Sequence, residues 1–141
     1  MGIRLFILVM FCFGGLSAQD PCAEGFEKNH FPQQIVNKIL ERFEIPSTEW
    51  VGINRALDRQ VKLLEVKVQQ KAAKMDPNPF NSPVLHVVVG RLYRETLIES
   101  FGYVMRQHGV KKTRQIYEMY DAIVDEKAEL IWECRRKRGD F

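Results

Sequence analysis

Apolar residues recur every three or four positions along most of this chain, and that spacing predicts helices. Between Pro32 and Phe43, the residues Ile35, Val36, Ile39, Leu40 and Phe43 form one stripe, with Lys38, Glu41 and Arg42 facing away. Pro32 suits a first helical position, where its missing N–H costs nothing, and Pro46 ends the run. A second stripe follows through Trp50, Ile53, Leu57, Val61, Leu64, Val68, Ala72 and Met75. Ser47 or Thr48 is its expected cap, and Glu49 complements the helix dipole in the first turn. Unbroken, a helix over 48–74 would be about 40 Å long.

The stretch Asp76–Pro83 is rich in proline and asparagine and reads as a loop, a hinge between two helical hairpins. The third pattern opens with Ser82 as cap and Pro83 at the first helical position. Val84, Leu85, Val88, Leu92, Leu97, Phe101, Val104 and Met105 line it, and Val87, Val89, Ile98 and Tyr103 widen the stripe. This is expected to be the most buried helix. Leu85–Val89 is β-branched enough for a short strand, but the helical period runs on to Gln107, and Gly109 fits a C-terminal cap. The fourth pattern runs from Thr113 to Arg136. Ile116, Met119, Tyr120, Ile123, Val124, Leu130, Ile131 and Cys134 form its apolar side, with Lys127 the one charged intruder.

Four amphipathic helices with short connections predict an all-α fold, a four-helix bundle or an orthogonal helical array. The helical domain is expected over 32–136. An extended N-terminal segment, 19–31, precedes it, and a basic tail, 137–141, follows.

Upstream of these helices the pattern changes. Arg4 is followed by an unbroken apolar run from Leu5 to Phe13 and then by small residues to Ala18. That is the layout of a secretory signal peptide over 1–18, cut after Ser17 or, by preference, Ala18. The apolar stretch is shorter than the roughly 20 residues of a membrane-spanning helix, and no transmembrane span is expected in the mature chain. The expected location is secreted or periplasmic. Cys12 would leave with the leader. Cys22 and Cys134 remain, and an oxidising compartment favours a bridge between them.

The net charge of +3 is concentrated in the run Arg135, Arg136, Lys137 and Arg138, and the body of the chain is close to balanced. A nucleic-acid binder would show a basic face across the domain, so no nucleic acid is expected. The run resembles a convertase cleavage pattern, and Arg138-Gly139-Asp140 spells an integrin-binding tripeptide. Both patterns are short. Contact with an acidic partner or a lipid headgroup surface is the more general use of such a tail, and a solvated helix end is the plainer reading still.

Candidate chemistry is sparse. His30, His86 and His108 are scattered, and a di-iron bundle would take Glu-x-x-His on two helices, which the chain does not supply. No nucleophile elbow is present. Glu95 and Glu99 stand one turn apart, as do Asp121 and Asp125. Such rows read as a solvated acidic face meeting Arg91, Arg94 or Arg106 across a helix pair. No metal and no cofactor are expected. Trp50, Val88, Leu92, Phe101 and Ile123 are the residues expected to line an apolar pocket, if one exists between the helices.

The resulting expectation is a small exported helical protein that binds another exported protein and is not an enzyme. Arg135, Arg136, Lys137, Arg138, Asp121 and Asp125 are the expected partner contacts. The alternatives are a carrier holding a small apolar ligand between helices, and an inhibitor or immunity-type protein.

Overall fold

The computed structural model describes residues 19–75, 78 and 85–140, with side chains in the last stretch from Val87 on. The leader and the cap pair Ser82 and Pro83 lie outside the described residues. Six helices follow one another: α1 (Glu24–Lys28), α2 (Gln33–Arg42), α3 (Ser47–Lys62), α4 (Leu64–Ala73), α5 (Leu85–Gln107) and α6 (Thr113–Arg138). The described residues hold no strand, and Leu85–Val89 opens α5. The fold is all-α, helix packed on helix.

Proline and left-handed turns set the boundaries. Pro32 and Pro46 are the N-cap residues of α2 and α3: α2 begins one position later than the sequence implied, the cap of α3 comes earlier, and neither Ser47 nor Thr48 caps α3. Extended backbone at each proline turns the chain into the helix that follows. Three helices end the same way. At the end of α2 the N–H of Glu44 bonds to the Glu41 carbonyl and that of Ile45 to the Leu40 carbonyl. Gly109–Val110 repeats the pattern after α5, and Gly139–Asp140 after α6. These are Schellman turns, which satisfy the last carbonyls of a helix. Two of the turning residues are glycine, with φ of 93° and 75°, but the first is Glu44 at φ 60°.

A side chain in the left-handed region costs about 1–2 kcal/mol. Glu44→Gly is therefore expected to stabilise the protein, by about 0.5–1 kcal/mol after the added flexibility of the unfolded chain is subtracted. Urea unfolding measures it, and an unchanged or lower midpoint would contradict the assignment of strain to Glu44.

The long second pattern is two helices. At Leu63 the backbone N–H bonds to Gln60, three residues back, and the regular ladder resumes at Lys67. Neither proline nor glycine marks the break. The stripe continues across it, with Ile53 and Leu57 buried on α3 and Leu64, Val68 and Ala72 on α4. Both helices pack on α5.

α5 is the centre, packed against α3, α4 and α6, while α2 lies on α3 and α6. Phe101 and Met105 of α5 are fully buried. The Phe101 ring stacks on Phe31 at 5.7 Å and meets Tyr120 of α6 edge-on at 5.8 Å. Where α5 ends, His108 Nδ1 lies 2.6 Å from the Glu49 carboxylate on α3. Gly52 makes room for it, since a Cβ there would sit 3.1 Å from the imidazole Cε1.

The wide stripe on α5 is not all interior. Val87 and Tyr103 are exposed, as are Met75 and, on α6, Val124. A helix apolar on most sides has more apolar surface than its three neighbours cover.

Candidate functional site

The segment read as extended, 19–31, carries one short helix, α1, whose Phe26 is fully buried. Its anchor is the disulfide between Cys22 and Cys134, with Cα atoms 5.5 Å apart across 112 positions of sequence. Around the bond, α6 clasps α1 with cations. Arg135 meets the Glu27 carboxylate at 2.8 Å. Lys127 donates to the Glu27 carbonyl at 2.7 Å. Arg138 donates to the Cys22 carbonyl. The charged intruder on the apolar side of α6 thus has a partner: an orphan carbonyl near the end of α1.

The basic run is helix rather than tail, since α6 continues to Arg138 and turns at Gly139. Its four residues do different things. Arg135 and Arg138 are spent on the N-terminal segment, Arg136 stacks over the Trp132 ring at 5.1 Å, and Lys137 is exposed. A protease that needs an extended segment meets a helix here. The Arg-Gly-Asp tripeptide is a helix-ending turn whose arginine already bonds to the Cys22 carbonyl.

The acidic groups are paired differently from the expectation. Glu126 receives Lys38 at 2.7 Å and Arg42 at 2.8 Å, both from α2. Glu99 pairs with Lys71 of α4, and Glu118 with Arg114 on its own helix. The expected partners on α5, Arg91, Arg94 and Arg106, make none of these bridges. The flanks of α5 and α6 that carry the acids face α4 and α2, and which helices are neighbours is a tertiary fact.

Asp121 and Asp125 remain on the outward side of α6, with no ion pair among the described residues. Around them the surface is apolar. Tyr117, Val124 and Trp132 are each about half exposed. With Asp121 and Ala128 they follow one another at spacings of three or four residues, so they share a face. Beside that face runs a groove of about 250 Å³. Phe31, Leu97, Tyr120 and Ile123 supply its apolar wall, and His30 and Lys127 its polar end. Burial pushes the His30 imidazole below its ordinary value, and the Lys127 charge adds to the effect. Burial likewise lowers Lys127, against the opposing pull of Glu27.

Of the five residues expected around an apolar pocket, Ile123 alone lines this groove. Phe101 is enclosed by rings. Leu92 is almost buried and Val88 half-buried. Trp50 sits in the first turn of α3, and its indole N–H donates back to the Ile45 carbonyl in the α2–α3 turn at 2.9 Å. The side chain of His86 lies outside the described residues, and His30 and His108 stand on different elements. Among the described residues no group of three histidine, cysteine or acidic side chains is placed to hold a metal ion.

Two depressed pKa values set a pH dependence. Glu126 lies below the usual carboxylate range, chiefly through hydrogen bonds from Lys38 and then Arg42. Its contribution is present above its unfolded value near 4.5 and is lost as pH falls through the folded one. His30 is held neutral, so its contribution is present above 6.5 and declines below that. Stability is therefore expected to fall from pH 7.5 to 5.5 through His30, and again below pH 4.5 through Glu126. Urea midpoints measured across this range test it. His30→Gln should flatten the upper part of the curve, and an identical slope in that variant would remove His30 from the account.

Set against known protein families, curated proteins and solved structures, the chain matches none. No helix among the described residues is long and apolar enough to cross a membrane.

Proposed function

We propose that the protein is an exported binding module that docks a partner protein through the outward face of α6. The observation that carries this is the composition of that face. Tyr117, Val124 and Trp132 expose large apolar groups among Asp121, Asp125 and Arg136. Tyrosine, tryptophan and arginine are the residues enriched in binding hot spots. A monomer with no use for such a face would cover it or make it polar. Export is supported by the leader pattern of 1–18 together with the disulfide, which an oxidising compartment maintains. The partner is therefore expected in the same compartment.

A photo-crosslinker placed at Val124 should capture a discrete adduct from the native exported fraction, and one at exposed Val51 of α3 should not. Trp132→Ala should abolish the adduct while circular dichroism shows the helical content unchanged. Equal capture at both positions, or none at Val124, would remove α6 as the docking face.

A further inference from the structure

The break at Leu63 has a consequence on the far side of the molecule. It leaves Leu63 half exposed at the mouth of a groove of about 570 Å³ between α4 and α5. Tyr103, also half exposed, stands across from it on α5. Along α4 the rim is lysine: Lys67, Lys71 and Lys74. Glu99 is the one acid lining the groove, and Lys71 pairs with it at 2.5 Å. Lys67 and Lys74 therefore leave the rim positive. We infer that this groove docks on an anionic phospholipid membrane surface, with Leu63 and Tyr103 entering the headgroup layer and the lysines meeting its phosphates.

The chemistry favours lipid over an acidic protein. Protein interfaces are enriched in arginine and depleted in lysine. The cations of this rim are all lysine. Lysine stems lie along apolar surface while the ammonium reaches water or a headgroup. Exposed apolar side chains beside such a rim are the makings of an interfacial anchor, in which shallow burial and diffuse charge add. The three lysines span about 10 Å of helix, a line of charge rather than a shaped socket.

Sedimentation with vesicles tests the inference, using the disulfide-bonded chain 19–141. Vesicles with roughly a third phosphatidylglycerol should bind it, and pure phosphatidylcholine vesicles much less. Lys67→Gln with Lys74→Gln should weaken binding roughly 30-fold, at the worth of one lysine each near a charged surface. Lys74→Gln alone, at an exposed position, should weaken it about fivefold, with circular dichroism unchanged. Leu63→Asn should also weaken it. Arg136→Gln with Lys137→Gln, at the end of α6, should leave it intact. No binding to anionic vesicles overturns the inference, as does equal binding to both kinds. So does loss through the α6 pair but not through the α4 pair. Binding to soluble poly-glutamate without binding to vesicles would overturn it too, assigning the groove to an acidic protein.

Discussion

Replacing both Cys22 and Cys134 with serine is expected to lower stability by about 3–5 kcal/mol, and the melting temperature by about 10 °C or more. The bond joins positions 112 apart, so in the unfolded chain it closes most of the domain into a loop. Its removal restores that freedom, and the chain-entropy estimate for such a loop is about 4–5 kcal/mol. The folded state loses less. Phe26 stays buried, and the bonds from Arg135 and Lys127 to Glu27 still hold α1 on α6. The variant should thus fold to the same secondary structure and unfold at lower urea. Thermal unfolding with and without reductant gives the same comparison on the native chain. Equal melting temperatures would mean the bridge is incidental. A small shift with rapid proteolysis confined to 19–31 would mean it serves only to hold α1 in place.

Phe101→Ala is expected to cost about 3–5 kcal/mol, the usual range for truncating a large buried aromatic. The ring is fully buried and touches two others, Phe31 and Tyr120. Aromatic contacts of this kind add about 0.5–1.5 kcal/mol beyond the apolar area. The three rings come from the α1–α2 linker, α5 and α6, so the truncation loosens the junction of three parts of the fold. Against a total of about 5–15 kcal/mol for a domain of this size, that loss is from about a fifth to all of the stability, so the variant should unfold at markedly lower urea. Urea unfolding measures the loss, and Phe101→Leu, which fills most of the volume, should cost under half as much. The result also bears on the carrier reading. Were Phe101 the wall of a ligand cavity, truncation would enlarge a space already present, and a loss under about 1 kcal/mol would favour that reading.

Much of the helical layout was legible along the chain, because burial on one side of a helix imposes the three-to-four spacing. α2, α5 and α6 fall where that spacing placed them. The cysteine pair was legible for a different reason: the pattern of 1–18 predicts an exported chain with two thiols beyond it, and the expectation of a bridge came from that compartment rather than from geometry. α1 was not legible, since five residues are too few to show a period. The break at Leu63 was not legible either. The stripe runs straight through it, and no residue there resists the helix. Thr96 and Ser100, buried on α5, carry no sequence signal of burial; Thr96 is accommodated because its hydroxyl donates to the Leu92 carbonyl.

For the surfaces the division is sharper. The sequence alone determined the amphipathic helices, the oxidisable pair, the basic run and the acidic row. Only the tertiary structure decided which of those charges are spent. Glu126 is taken by α2, and Arg135 and Arg138 by the N-terminal segment, while Asp121 and Asp125 stay outward beside three exposed apolar residues. The physical reason is range. Local spacing dictates which way a side chain points from its own helix, but a salt bridge or a groove depends on which other helix packs against that side, and that is settled by burying all the stripes at once.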